Sequence, residues 1–167
     1  MKWRNISKML YDISRIKEEL FDLLDINFMG IDWNQIYLQG NRKGIDPIEP
    51  TKGMRWVEID QEEEQWDVNL FEFPYINSIL NEHNLCRTRI MKTKPKSCYL
   101  WHKDPRKRLH IPVVTNEHCF LLLEKDGRMH LPATGEAYVV DTTQHHTQVN
   151  ASREERIHIV GSLKWKN

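Results

Sequence analysis

The chain lacks net charge: across 167 residues, 24 Lys and Arg are balanced by 24 Asp and Glu. Without an excess of cations it is not built to coat nucleic acid or an anionic membrane surface. Cysteine is scarce. Cys86, Cys98 and Cys119 are an odd, scattered set with no CxxC pair, so neither a disulfide framework nor a cysteine-based zinc site is expected. Long apolar runs are missing as well. Stretches such as Phe120–Leu123 fall far short of the roughly 18 residues that a membrane span needs. Met1–Lys8 has no apolar h-region of the kind a signal peptide carries.

What is present argues for a folded unit. Hydrophobic residues make up 40% of the chain and include six Trp, which excludes a disordered composition. The length suits one domain, large enough to bury roughly 70% of its unfolded surface around its own core. The expectation is therefore a soluble, reduced, cytoplasmic protein. It is expected to be one domain over residues 1–167, with a small-molecule or amino-acid partner and no nucleic-acid or membrane partner. Its oligomeric state is not legible. Eight histidines stand out in so neutral a chain.

Two textures divide the sequence. Over the first 25 residues Ile6, Met9, Leu10, Ile13, Ile16, Leu20, Phe21 and Leu24 recur at spacings of three and four, which predicts a helix starting near Ser7 or Asp12. Residues 26–55 read as turns around a short strand near Gln35–Leu38, because Gly30, Gly44, Pro47 and Pro50 interrupt them. The acidic run at 61–67 reads as a solvated connector. Pro74 then opens a short helix through about Glu82, where its missing N–H does no harm.

From Cys86 onward the period changes to two. Strands are predicted at Arg87–Lys92, Cys98–His102, Arg108–Val114, His118–Glu124, Arg128–Leu131, Glu136–Val140, Thr147–Asn150 and Arg156–Leu163, with a turn at Lys125–Gly127. Eight short strands without intervening helices predict a mainly β fold, a jelly roll or small barrel over residues 86–163. The helical and loop part, residues 1–85, is expected to pack on one outer sheet face.

The chemistry starts from His102-Lys103-Asp104, whose His and Asp share one side of an extended chain. Alone the motif carries no weight, since eight His and an acidic frequency of 24 in 167 give about one such match by chance, and there is one. Context gives it meaning. His146 supplies a second imidazole 44 residues later, and two His with one carboxylate form the ligand set of non-haem Fe(II) oxygenases. Adjacent His145 and His146 cannot both face inward on an extended chain. Arg156, on the next strand, offers the forked guanidinium suited to a dicarboxylate. Arg108, His110 and Pro112 share one strand face, while Leu109, Ile111 and Val113 share the other; Arg156–Ile159 repeats the pattern. A strand whose second face carries Arg and His lines an interior cavity if both of its faces are covered. His83, His118 and His130 are read as structural, and Arg87, Arg89 and Trp101 as facing either a substrate or the core.

One order of residues joins these positions: Arg87, Arg89 and Met91; Pro95; His102 and Asp104; Arg108, His110 and Pro112; Thr115 and Asn116; Gly135, Glu136 and Tyr138; Asp141 and Thr143; His146; Asn150; Arg156 and His158. It resembles the aspartyl/asparaginyl β-hydroxylase family, with a fainter likeness from Asp32-Trp33 through Phe73–Ile76, so that residues 32–163 are covered. The resemblance implies a cupin-like double-stranded β-helix and an Fe(II)- and 2-oxoglutarate-dependent dioxygenase using O₂. It implies His102, Asp104 and His146 as iron ligands, and its spacing to Asn150 and Arg156 selects His146 over His145. Arg156 would grip the distal carboxylate of 2-oxoglutarate, with Arg108 and His110 near its metal-bound end. Two departures stand out. Lys96 occupies a place where the family usually has Gly, and Gly161-Ser162 one where an acidic residue often closes the last strand.

Two other readings stay open at this point. One is a cupin-type metal dioxygenase or isomerase that needs no 2-oxoglutarate, with Arg108 and Arg156 binding an anionic substrate directly. The other is a non-catalytic jelly-roll binding module. Substrate identity is not written in the sequence, although the small size leans towards a free amino acid or metabolite.

Overall fold

Alternation of side chains along the C-terminal strands resolves into two antiparallel sheets in the computed structural model, which describes residues 4–5, 10–24, 34–43, 46–47 and 63–164. The strands are β1 (Arg4–Asn5), β2 (Gln35–Tyr37), β3 (Gln39–Gly40), β4 (Val68–Asn69), β5 (Leu85–Thr93), β6 (Ser97–Cys98), β7 (Arg108–Val114), β8 (Cys119–Leu123), β9 (Gly127–Met129), β10 (Tyr138–Val140), β11 (His146–Asn150) and β12 (Arg156–Leu163). The larger sheet has the order β1-β10-β7-β12-β5-β2 and the smaller β6-β11-β8-β9, with β3 and β4 paired apart from both. Apart from the β8–β9 hairpin, successive strands from β5 onward cross between the two sheets, which is the winding of a jelly roll, the expected double-stranded β-helix.

The predicted strands reappear within a few residues of their expected ends. Cys98–His102 is the exception: β6 stops at Cys98, and the chain bulges outward through exposed Leu100 and Trp101. It returns as a single antiparallel bridge between His102 and His146. The Asp126-Gly127 signal is realised as the β8–β9 hairpin, with Gly127 at φ +73°. Lys96, at the place where the resemblance led to an expected Gly, takes φ +52°, the left-handed conformation that glycine adopts most readily.

The N-terminal helix is shorter than its periodicity suggested. It runs as α1 (Ile13–Glu19) and α2 (Phe21–Leu24), whereas Arg4–Asn5 is a strand paired with β10. The reason is Asp12. Its backbone is extended, at φ −76° and ψ 100°, and its carboxylate accepts the Arg15 N–H at 3.1 Å, so the helix begins at that cap. Ile6 and Met9 lie outside the described residues. Helix α3 (Pro74–Glu82) begins at proline as expected, but its N-cap residue Phe73 offers no side-chain acceptor. Glu19 of α1 fills that role from a distance, accepting the Tyr75 and Ile76 N–H groups at 2.8 Å each.

One apolar core lies between these helices and the outer face of the larger sheet. Ile16, Leu20, Ile76 and Ile79 meet Ile90, Leu109, Ile111, Val113 and Ile159, the strand face picked out by alternation. A second cluster, including Leu121, Leu123, Tyr138 and Val140, lies apart from the helix-covered core. No helix among the described residues is long and apolar enough to cross a membrane.

The run at 61–67 departs most from expectation. In place of a solvated connector, residues 63–65 form a 3₁₀ turn, with Glu63 fully buried and Trp66 1% exposed. A carboxylate tolerates that burial because cations surround it.

Gly135 joins the N-terminal segment to the barrel. It sits at φ +90°, accepts the Tyr11 N–H at 2.8 Å, and a Cβ there would stand 2.4 Å from the Tyr11 carbonyl oxygen. Gly135→Ala is expected to cost about 1–3 kcal/mol through backbone strain and displacement of this contact. Urea denaturation measures it, and an unchanged midpoint would mean that the joint is slack.

Candidate metal centre

The strands bring His102, Asp104 and His146 to one point, with a ligand atom of each within 4.8 Å of the others. The backbone bridge pins the two histidines: His102 N–H donates to the His146 carbonyl at 3.0 Å, and His146 N–H returns the bond at 2.8 Å. Asp104 is held the same way, its N–H donating to the Thr142 carbonyl at 2.9 Å. Each ring is oriented by a second carbonyl. His102 Nδ1 lies 2.7 Å from Leu100 O and His146 Nδ1 lies 3.0 Å from Gln144 O. A carbonyl only accepts, so Nδ1 carries the proton in both rings and a neutral ring offers its Nε2 lone pair. Those Nε2 atoms stand 3.9 and 3.8 Å from the two Asp104 oxygens.

This donor set suits a divalent first-row metal: two neutral imidazoles and one carboxylate on a single face, with the side towards the cavity open. The protonation states agree. Burial pulls the His146 imidazole below its usual range, despite the opposing Gln144 carbonyl and Asp104 carboxylate. Burial alone would raise Asp104, but the Arg108 guanidinium, with help from His146, holds its carboxyl below the ordinary carboxylate value.

Arg108 connects the triad to the buried carboxylate. Its Nε donates to Asp104 Oδ2 at 3.0 Å and its Nη1 contacts Glu63 Oε1. Glu63 also accepts from Arg87 Nη1 at 3.1 Å and from Ser162 Oγ at 2.6 Å, and lies 3.5 Å from Arg106 Nε. At Gly161-Ser162, where the resemblance led to an expected acidic residue, Ser162 binds a carboxylate delivered by another element. Asp104 pairs with neither of the next cations along the chain, Arg106 and Lys107. It pairs with Arg108 instead, while Lys107 faces Asp141 and Arg106 the Glu63–Glu64 pair.

All six site residues expected from the sequence line one cavity of about 620 Å³: His102, Asp104, His146, Arg108, His110 and Arg156. They differ in how they are satisfied. Arg108 is committed to two carboxylates. Arg156 is 3% exposed, yet its Nη1 and Nη2 donate to neutral acceptors, Gln148 Oε1 at 2.6 Å and His158 Nδ1 at 2.7 Å. No carboxylate pairs with it among the described residues, and burial draws its pKa down to about 9, which still leaves it charged at neutral pH. His110 is buried with neither ring nitrogen hydrogen-bonded. His145 points away from the cavity, stacked on Trp101 at 6.2 Å with Nδ1 3.4 Å from Glu124.

Two participants escaped the sequence reading. Gln148 shares a strand face with His146, two residues along, and that spacing could have marked it. Glu63 had no such signal, because its partners Arg87 and Arg108 lie 24 and 45 residues away in the chain.

Comparison with known proteins follows the same line. The family model for aspartyl/asparaginyl beta-hydroxylases matches residues 2–164. No curated protein sequence matches the chain significantly. Among solved structures, EvdMO1 superposes with a TM-score of 0.57 at 16% identity, covering 99% of this chain and 47% of that one, a likeness of fold. AviO1 from Streptomyces viridochromogenes Tue57 gives a TM-score of 0.49 at 14% identity over 90% of this chain and 83% of its own. A cupin domain from Bordetella pertussis Tohama I gives 0.41 at 18%, over 47% and 81%.

Two measurements probe the site's electrostatics. Glu63→Ala removes the buried carboxylate that Arg87, Arg106 and Arg108 share and is expected to cost about 3–5 kcal/mol in urea unfolding; a loss below about 1 kcal/mol would show that water reaches the cluster. His110 and His158 are both held well below the usual histidine range by burial and then by Arg156. The unfolded chain protonates them near pH 6.5 while the native state does not, so native stability falls as pH drops below that value. Two such groups give a slope of up to about 2.7 kcal/mol per pH unit between pH 6 and 5. Denaturant titrations of chelator-treated protein that stay flat over this interval would show that both rings take up protons in the folded state.

Proposed function

The chain belongs to the aspartyl/asparaginyl β-hydroxylase family, and from that premise we propose an Fe(II)- and 2-oxoglutarate-dependent dioxygenase. Its substrate is an amino acid, an amino-acid residue or a related small metabolite, hydroxylated at an unactivated C–H bond. Arg156 carries this reading: a buried guanidinium without a carboxylate partner among the described residues, in the same cavity as the triad. A buried unpaired cation is costly, and a dicarboxylate that enters the cavity supplies the missing charge.

His102, Asp104 and His146 would hold the iron. When bound, it supplies the oxidising power with which O₂ converts 2-oxoglutarate to succinate and CO₂ and places one oxygen atom on the substrate. The chain's own residues do the positioning. Arg156 offers a forked donor whose orientation is fixed by Gln148, itself held by Thr93 Oγ1 at 2.6 Å from its Oε1. Its charge persists at neutral pH. His110, neutral and with no hydrogen-bond partner on either buried ring nitrogen, lines the same cavity. Arg108 acts through Asp104: by donating to Oδ2 it fixes the carboxylate's orientation. The cavity wall keeps bulk water from these groups, which strengthens each charge interaction inside it.

The test is binding of 2-oxoglutarate to the Mn(II)-loaded protein by calorimetry, followed by succinate formation with Fe(II) and O₂. Arg156→Lys is expected to weaken 2-oxoglutarate binding by at least tenfold, because a point charge lacks the fork. His102→Ala is expected to retain its far-UV circular dichroism and lose succinate formation. Unchanged affinity in Arg156→Lys removes that residue from the site, and substrate oxidation without 2-oxoglutarate transfers the protein to the other metal-dependent class.

A further inference from the structure

Arg156 is held by two acceptors that carry no charge. Gln148 of β11 takes an N–H from Nη1 at 2.6 Å, and His158 takes one from Nη2 at 2.7 Å through its Nδ1. A carboxylate in either place would hold the group as firmly and cancel its charge.

A guanidinium only donates, so His158 Nδ1 accepts and the ring proton sits on Nε2. This tautomer is the reverse of that in His102 and His146, whose Nδ1–H groups face carbonyls. His158 follows Arg156 by two residues on β12, so both side chains stand on one face of the strand. It is 1% exposed and forms no part of the cavity wall, whereas Arg156, Gln148 and His110 all do. Its ring meets that of His110 at 79°, with 5.8 Å between centres. Its Nε2 is buried without a hydrogen-bond partner among the described residues. A buried N–H of that kind is destabilising, and an apolar side chain of similar bulk would leave none, so stability alone gives no reason for histidine at this position. The acceptor at Nδ1 does. Burial first, then the charge of Arg156 and the nearby His110 and His130, keep the ring neutral, the state in which Nδ1 can accept.

We propose that His158 is a positioning residue for Arg156: together with Gln148 it fixes the guanidinium in one orientation and leaves its charge for the distal carboxylate of the co-substrate. This rests on the 2-oxoglutarate reading of the cavity. Held at one terminal nitrogen the group could still pivot; held at both it cannot, and an entering carboxylate meets a fork that needs no further ordering. Each acceptor occupies one N–H, so both terminal nitrogens keep a second donor. His158 acts through Arg156 alone.

The experiment isolates the hold on the distal carboxylate. N-Oxalylglycine, an inert analogue of 2-oxoglutarate, is compared with N-methyloxamate, which has the same chelating end and no distal carboxylate. Calorimetry gives the affinity of both for Mn(II)-loaded wild type, His158→Leu, His158→Asn and Arg156→Gln, and the ratio of the two affinities reports that hold alone. Asn is the conservative variant, because its Oδ1 stands as many bonds from the backbone as the Nδ1 of His. The ratio is expected to fall about tenfold or more in His158→Leu, to stay within about threefold of wild type in His158→Asn, and to vanish in Arg156→Gln. N-Methyloxamate affinity is expected to stay within about threefold in all four proteins, since none of the changes touches the triad. Long-range ¹H–¹⁵N spectra of the Zn(II)-loaded wild type are expected to show His158 protonated at Nε2. An Nδ1-protonated ring overturns the proposal even if His158→Leu does not fold. So does an unchanged ratio in His158→Leu, or an equal loss of both ligands there, which marks a merely structural role. If wild type does not prefer N-oxalylglycine to N-methyloxamate, the 2-oxoglutarate reading fails and takes the proposal with it; a wild-type preference that His158→Leu retains defeats the proposal alone.

Discussion

A carboxylate buried beyond the reach of water holds this structure together. Glu63 has no exposed surface, and three arginines and a serine reach it from β5, β7, β12 and the segment leading into β7. A charge so placed is stable only while every partner stays in place. It therefore couples the 3₁₀ turn to three strands of the larger sheet. Through Arg108 the coupling extends to Asp104, so the orientation of a ligand carboxylate depends on a residue that is not in the cavity wall.

The same strands serve the core and the site on opposite faces. Along β7, Leu109, Ile111 and Val113 turn to the helices, while Arg108 and His110 turn to the cavity; β12 does the same with Ile157 and Ile159 against Arg156 and Val160. Helices α1 and α3 therefore matter to chemistry they never touch. They dry the outer face of the sheet, which fixes the register, and in a two-residue repeat the register decides which side chains look inward.

Much of this was legible because a strand buried on both faces writes two different texts in alternate positions. The Arg-x-His pattern of β7 and β12 was visible for that reason, as were the eight strands and the gathering of His102, Asp104 and His146. The failures share a physical cause as well. The helix start stayed open between Ser7 and Asp12 because periodicity does not mark a cap; the Asp12 cap decides it. Glu63 was read as solvated because local composition cannot report a partner brought from a distant strand. Arg108 and Arg156 looked alike in sequence, yet one is neutralised and the other is not. That difference depends on which carboxylates the fold delivers, and no spacing rule encodes it.

The paired hydrogen bonds between the His102 and His146 backbones place the two imidazoles at their mutual distance before any ion arrives. Freezing a residue's backbone costs roughly 1–2 kcal/mol, and here that cost falls on folding and not on capture of the ion. The main chain, in this sense, sets the outline of the candidate site. Its selectivity among metals would follow from ligand type and the angles at which the rings are held, with little left to adjustment by the chain.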